Sequence, residues 1–294
     1  MNIPSQLTPN GAERVDLQGR YGPVAALRRR AVTATDPRPT ALLVPGYTGS
    51  KEDFAPLMDP IAHAGFDAIA IDLPGQYESS GPDDEAAYQP ATLGAVLAEL
   101  VGKLAADGGP VVLLGHSFGG LVTRGAVLAG APVAGLTLMG TGPSELPEGI
   151  RRQALDLGEP AMRKYGIEAA QKLREQLDAM SPPKPGQTAA LSAFLRDRFL
   201  RSRPAALLGK ARALRTEPDL VSSLARVLQT SGTPALVCCG EFDDAWPVST
   251  QRDMADRLDA DFAVIAAARH SPNTENPEEL LATLLPTWRS WLAA

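Results

Sequence analysis

Cysteine is almost missing from this chain of 294 residues: there are two, Cys238 and Cys239, side by side in an apolar run. Neighbouring strand residues point to opposite faces, so a disulfide between them would be strained, and both read as reduced packing residues. Histidine is equally scarce. The three copies, His63, His116 and His270, are far apart, and no Cys-x-x-Cys or His-x-x-x-His spacing occurs. The usual ligand patterns for zinc are therefore lacking, and no metal or cofactor is expected. Apolar runs of 18 residues are absent too, since charges such as Glu99 and Lys103 interrupt each candidate; stable membrane anchoring is not expected. The stretch Met1–Arg20 lacks the apolar core of a secretion signal, which makes cytoplasmic residence the default expectation. Aromatics are only 5% and the net charge is −6, a combination that argues against a nucleic-acid partner.

What the chain does have is alternation. Apolar strand-like runs at Ala41–Val44, Ala68–Ile71, Val111–Leu114, Leu136–Met139, Ala235–Cys239 and Phe262–Ala266 are separated by helix-period segments. These segments are Phe54–Ala64, Thr92–Ala106, Leu121–Leu128, Thr250–Leu258 and Pro277–Leu292. Strands that are apolar throughout, rather than every second residue, predict a parallel sheet covered on both faces. Val15–Leu17 and Val24–Arg30 predict an antiparallel hairpin at the start of the sheet. The alternation lapses from Gly142 to about Ser231, where helical patterns at Ile150–Leu157, Glu168–Met180, Leu191–Leu200, Pro204–Leu214 and Leu220–Leu228 flank a Pro-rich break, Ser181–Gly186. The expected organisation is an α/β core from residues 1–141 and 232–294 with a helical cap at 142–231. Such a cap would roof the crevice at the carboxyl ends of the strands. Between Ile150 and Arg215 the chain carries 14 Lys/Arg against 6 Asp/Glu. That excess either steers an anionic substrate inward or decorates solvated helix faces.

Gly115-His116-Ser117-Phe118-Gly119 sits between the strand run Val111–Leu114 and the helical pattern that opens at Gly120. A strand, a pinched turn and a helix with serine at the pinch make a nucleophile elbow, with Gly115 and Gly119 where side chains would collide. A serine hydroxyl needs a base, and the base needs an acid to orient it. His63 closes a helix, where an imidazole complements the dipole. His116 lies within the turn and diverges from Ser117, as a packing or pocket-lining residue. His270 leaves the last strand at the sheet's carboxyl edge and is the candidate base. The acid belongs on the loop after Ala235–Cys239, where Asp243 is preferred, Asp244 is the substitute and Glu241 reads as solvated.

These features resemble the α/β-hydrolase superfamily, in its serine-nucleophile branch with a helical cap. In that family the order along the chain is nucleophile, acid, histidine, which Ser117, Asp243 and His270 keep. The family's acid loop, Gly-x-x-Asp-x-x-x-Pro, matches Gly240, Asp243 and Pro247 and favours Asp243 over Asp244. The resemblance implies an oxyanion hole from the backbone N–H of Phe118 and, in the loop after the first core parallel strand, of Tyr47. Two departures stand out. Pro45 replaces the histidine that usually organises this loop, and Tyr77 stands where many relatives have glycine. Tyr77, His116 and Trp246 are candidate pocket residues.

The implied activity is hydrolysis of a carboxylic ester or related acyl bond on a small-molecule acyl substrate, in the manner of carboxylesterases and lysophospholipases. Serine at the elbow separates the chain from dehalogenases and epoxide hydrolases of this fold, which use aspartate there. Carbon–carbon bond hydrolysis, thioester cleavage, acyl transfer and perhydrolysis stay open on the same triad, as does a ligand-binding receptor. Oligomeric state is not readable from the sequence.

Overall fold

The computed structural model describes residues 3–32, 38–179 and 186–293. Its strands are β1 (Glu13–Gly19), β2 (Gly22–Arg29), β3 (Thr40–Val44), β4 (Asp67–Ile71), β5 (Val111–His116), β6 (Gly135–Met139), β7 (Ala235–Gly240) and β8 (Asp261–Ile265). The helices are α1 (Met58–His63), α2 (Pro90–Gly108), α3 (Phe118–Leu128), α4 (Ile150–Tyr165), α5 (Ile167–Ala179), α6 (Ala189–Arg201), α7 (Pro204–Thr216), α8 (Val221–Ser231), α9 (Val248–Leu258), α10 (Pro272–Glu275) and α11 (Pro277–Ala293).

The strands form one eight-stranded sheet in the order β1-β2-β4-β3-β5-β6-β7-β8. β1 and β2 make the antiparallel hairpin, with Val15 opposite Ala26, and β2 meets β4 antiparallel. From β4 across to β8 every pairing is parallel. Strands β3 to β7 are buried at every residue, which is why their sequences are apolar without alternation. One face packs on α2, α3 and α9 through residues such as Leu97, Val122 and Met254. The other packs on α1 and α11 through Ile61, Leu280 and Trp288. Leu280, Leu284 and Trp288 recur at four-residue spacing, so α11 lays a single stripe on the sheet. The one polar group in that stripe, the Trp288 indole N–H, donates to the Thr137 hydroxyl of β6 at 3.0 Å.

Two boundaries differ from the sequence expectation for a physical reason. The helix expected over Phe54–Ala64 is a 3₁₀ segment, Lys51–Leu57, followed by the short α1. Pro56 and Pro60 have no N–H to give to an α-helical ladder, so the chain takes the tighter winding first. Conversely, α4 continues past its expected end at Leu157, through Pro160, to Tyr165. Leu155 and Met162, two turns apart, are both buried and hold the helix down on one face. The Pro-rich break at Ser181–Gly186 lies, apart from Gly186, outside the described residues.

Helices α4 to α8 lie between β6 and β7, as the lapse in alternation implies. The stems of this insertion are fastened to each other: the Glu145 N–H donates to the Glu217 carbonyl at 2.8 Å and the Leu146 N–H to the Leu214 carbonyl at 2.7 Å. Arg124 of α3 reaches both stems, donating to the Pro143 carbonyl and pairing with Glu217. α8 packs against α3 and α9 at the flank of the sheet, whereas α4 to α7 contribute walls to a cavity over the sheet edge.

Candidate active site

The chain runs from β3 outward to β4 and then crosses to β5 on the other side of β3. This reversal opens a crevice at the carboxyl ends of β3 and β5, the place where open α/β sheets accommodate ligands. Ser117 stands at the end of β5, with φ 55° and ψ −122°. For a residue with a Cβ that conformation is strained, of order 1–3 kcal/mol, and it is held from outside: the Ser117 N–H donates to the Met139 carbonyl of β6 at 2.9 Å. The turn is as tight as the motif requires. A Cβ at Gly115 would run into the Gly119 carbonyl and the Thr123 hydroxyl, and one at Gly119 would sit 2.5 Å from the Val44 carbonyl.

His270 follows β8 and its imidazole reaches back across two strands. Its Nε2 is 2.9 Å from Ser117 Oγ and its Nδ1 is 2.9 Å from Asp243 Oδ1. Burial raises the Asp243 carboxyl's pKa, but hydrogen bonds from His270, the Ala245 N–H and the Gln251 amide prevail and hold it below its ordinary value. An ionised carboxylate only accepts, so Nδ1 carries the proton and Nε2 is left to accept from the Ser117 hydroxyl. Asp244 points elsewhere and pairs with Arg151 of α4 at 2.7 Å, while Glu241 accepts from the Ala267 N–H at 3.0 Å. Of the two aspartates, Asp243 is the one within hydrogen-bonding distance of the imidazole.

Gly46, in the loop after β3, lies against the serine: a Cβ there would meet Ser117 Cβ at 3.1 Å. The buried amide of Gln76 donates to the carbonyls of Gly46 (2.6 Å) and Tyr47 (3.0 Å), while its own oxygen accepts from the Leu73 N–H at 2.9 Å. In the trans peptide that joins Gly46 to Tyr47, carbonyl and N–H point opposite ways. Anchoring the carbonyl on Gln76 therefore turns the Tyr47 N–H away from Gln76. The Phe118 N–H is at the first position of α3, where a helix offers it no internal acceptor. Pro45 leaves the loop without the organising histidine of the wider family, and Gln76 supplies the anchor instead.

A cavity of about 320 Å³ opens over the serine, with Tyr47, Ser117, Trp246 and His270 on its floor and residues of α4 to α7 as walls. Of the three candidate pocket residues, Trp246 lines it, its ring centroid 6.5 Å from that of His270. Tyr77 and His116 do not. The Tyr77 ring turns away to pack edge-on against Phe194 and lies between Lys51 and Arg201. Its φ is 40°, which accounts for the glycine many relatives carry there. His116 donates from Nε2 to the His270 carbonyl at 2.8 Å and so braces the histidine loop. Burial, then the neighbouring His270 charge, push its pKa down to about 4. His63 is remote from the crevice, its Nδ1 bonded to the Asp59 carbonyl at 2.7 Å.

Residues that the sequence reading passed over also shape the site. Gln76 is one, although it falls within the Asp72–Ser79 loop already singled out for Tyr77. Gln251 is another: its amide bridges Asp243 Oδ2 and the Trp246 carbonyl, both at 2.9 Å. Asp53 and Arg198, paired at 2.6 Å and buried, fasten α6 to the 3₁₀ segment that follows the Gly46–Tyr47 loop.

Residues 41–283 match the model of the Alpha/beta hydrolase family, and the chain belongs to that family. Solved structures of the same architecture include a thermophilic esterase from Thermogutta terrifontis, 23% identical, TM-score 0.72, covering 95% of this chain and 99% of that one. A carboxylesterase structure from the ammonia-oxidizing thaumarchaeon Nitrososphaera gargenis is 17% identical, with TM-score 0.74 over 95% and 99% of the two chains. A putative aryl esterase from Burkholderia cenocepacia is 18% identical, with TM-score 0.73 over 96% and 100%. At such identities the likeness establishes the shared fold. No curated protein sequence matches this one. Among the described residues, no helix is long and apolar enough to cross a membrane.

Proposed function

We propose that this protein is a serine hydrolase that cleaves a carboxylic ester, or a related acyl bond, through an acyl-Ser117 intermediate. The observation that carries this reading is the unbroken relay from the Ser117 hydroxyl through His270 to Asp243, with 2.9 Å at each link, on the floor of a cavity large enough for a small acyl compound. In the first half-reaction His270 Nε2 takes the Ser117 proton as Oγ bonds to the acyl carbon, and the carbonyl electron pair moves to oxygen. That oxyanion is received by the N–H groups of Phe118 and Tyr47. The tetrahedral centre collapses, the alkoxide leaves with the proton from His270, and the acyl group stays on Oγ. A water then gives its proton to His270 as it attacks the same carbon, and Ser117 departs with that proton restored. Asp243 holds the imidazole tautomer and balances the imidazolium in both halves. The helices α4 to α7 serve as the cap that shapes the acyl site.

A series of p-nitrophenyl esters of graded acyl length tests the reading. Wild type is expected to release p-nitrophenol with an optimum chain length, and Ser117→Ala to release none above background. Turnover that persists in Ser117→Ala, or folded wild type inert toward every ester and thioester offered, contradicts it.

A further inference from the structure

The walls of the cavity carry four charged residues besides the triad: Arg151, Glu159, Arg174 and Asp178. Three of them are already engaged. Arg151 pairs with Asp244 at 2.7 Å, and Glu159 is held by Arg163 and Arg215. Asp178 is exposed and has contacts of its own. Arg174 is different. Among the described residues its guanidinium makes no ion pair and no hydrogen bond, and its one defined partner is the ring of Phe199, whose centroid is 5.4 Å away. A guanidinium laid on an aromatic face keeps its N–H rim free, here on the cavity that Arg174 lines.

Among the described residues, no acid closes an ion pair with Arg174. Burial and the nearby Arg198 charge both press the Arg174 pKa down. Two acids oppose them, Asp178 ahead of Asp53: Asp178 is exposed one turn further along α5, and Asp53 is committed to Arg198 at 2.6 Å. The remaining walls are apolar, with Leu146, Leu155, Met162, Leu208 and Leu214 among them. A cation with free donors beside such apolar side chains is a receptor for a compact anion, and a carboxylate matches the planar fork of a guanidinium.

We propose that the acyl group taken by this cavity ends in a carboxylate, bound by Arg174, so that the substrate is a half-ester of a dicarboxylic acid or a close relative. The proposal rests on the serine-hydrolase reading and adds to it the charge at the far end of the acyl chain. It also separates one arginine from the general excess of positive charge in the insertion. Apolar walls receive the methylene chain, while Arg174 fixes its free end and sets the preferred length.

The test compares p-nitrophenyl half-esters of adipate, pimelate and suberate with the neutral hexanoate, heptanoate and octanoate. At the best length the half-ester is expected to exceed its neutral partner about tenfold or more in kcat/KM, mainly through KM. Arg174→Met, which keeps the apolar contact with Phe199, is expected to erase that preference and to leave the neutral ester within about threefold of wild type. Arg174→Lys should restore part of it. Equal turnover of charged and neutral esters by wild type, or an equal loss on both in Arg174→Met, overturns the proposal and leaves the hydrolase reading intact. If no ester is cleaved, the hydrolase reading falls, and calorimetric titration of Ser117→Ala with the free dicarboxylates decides the anion site separately. Binding that disappears when Arg174→Met is added upholds the site, and no binding to Ser117→Ala ends it.

Discussion

At the sheet edge, Ser117, His270 and Asp243 are held by buried hydrogen bonds, and the supporting amides of Gln76 and Gln251 are buried as well. The helices above share one such buried contact, Asp53 with Arg198, but are otherwise tied largely by surface pairs. Arg163 to Glu85, Arg196 to Glu175 and Arg203 to Asp83 are exposed pairs between long, mobile side chains. Exposed pairs contribute about 0–1 kcal/mol each and are screened by salt, whereas a buried polar group that loses its partner costs about 1–3 kcal/mol. One region is over-determined and tolerates little change. The other relies more on exposed pairs. Substitutions in the two regions are therefore expected to differ in their effects.

The largest effect is expected at Ser117, the proposed nucleophile. Ser117→Ala is expected to lower kcat/KM by about 10⁵–10⁶-fold with the melting temperature nearly unchanged, measured by ester turnover beside a thermal melt. Asp243→Asn follows, at about 10⁴-fold in kcat, while Asp244→Asn stays within a few-fold because that carboxylate only pairs with Arg151. Near-normal activity of Asp243→Asn together with loss in Asp244→Asn would reverse the assignment. Gln76→Leu removes the anchor of the Gly46–Tyr47 peptide, and kcat is expected to fall about 100-fold with little change in KM. An unchanged kcat with a raised KM would make Gln76 a wall of the substrate site instead of a brace for the oxyanion.

Two smaller effects concern the insertion. Lys210 of α7 is fully buried and, among the described residues, its ammonium has no hydrogen-bond partner. Burial drives its pKa down to about 7, with Asp72 pulling weakly the other way. Between about pH 7 and its ordinary pKa of 10.5, the unfolded chain binds one proton more than the folded one. The penalty of this lysine is therefore full below pH 7 and shrinks as pH rises toward 10. Lys210→Met should raise the melting temperature, more at pH 6 than at pH 9; a gain that grows with pH contradicts this sign. Arg196→Ala, which breaks an exposed pair, should move the melting temperature by no more than about 2 °C.

The two regions were also unequally legible. The core strands announced themselves because burial on both faces forces uninterrupted apolar runs such as Val111–Leu114. The elbow was readable because its glycines and serine are consecutive, and His270 because the other histidines sat in unsuitable elements. Gln76 was not readable. Its role depends on two loops, after β3 and after β4, meeting at the sheet edge, and no local pattern reports which side chain bonds which carbonyl. Arg174 was hidden for a related reason: the positive excess of the insertion was plain, but which arginine lines the cavity outside any ion pair among the described residues depends on how α5 packs. Tyr77 stands out in the sequence as a departure that suits either the pocket or surface packing, and the positive φ at that position says nothing of where the ring goes. The 3₁₀ winding at Lys51–Leu57 was within reach, because Pro56 and Pro60 stand in the predicted helix.

The central claim is that Ser117 is the activated nucleophile, and reaction with a fluorophosphonate followed by intact-mass and peptide mapping tests it most directly. One adduct per chain on the peptide containing Ser117, absent from Ser117→Ala and strongly slowed in His270→Ala, is the predicted result. Folded wild-type protein that takes up no adduct, or an adduct that survives in Ser117→Ala, would contradict it.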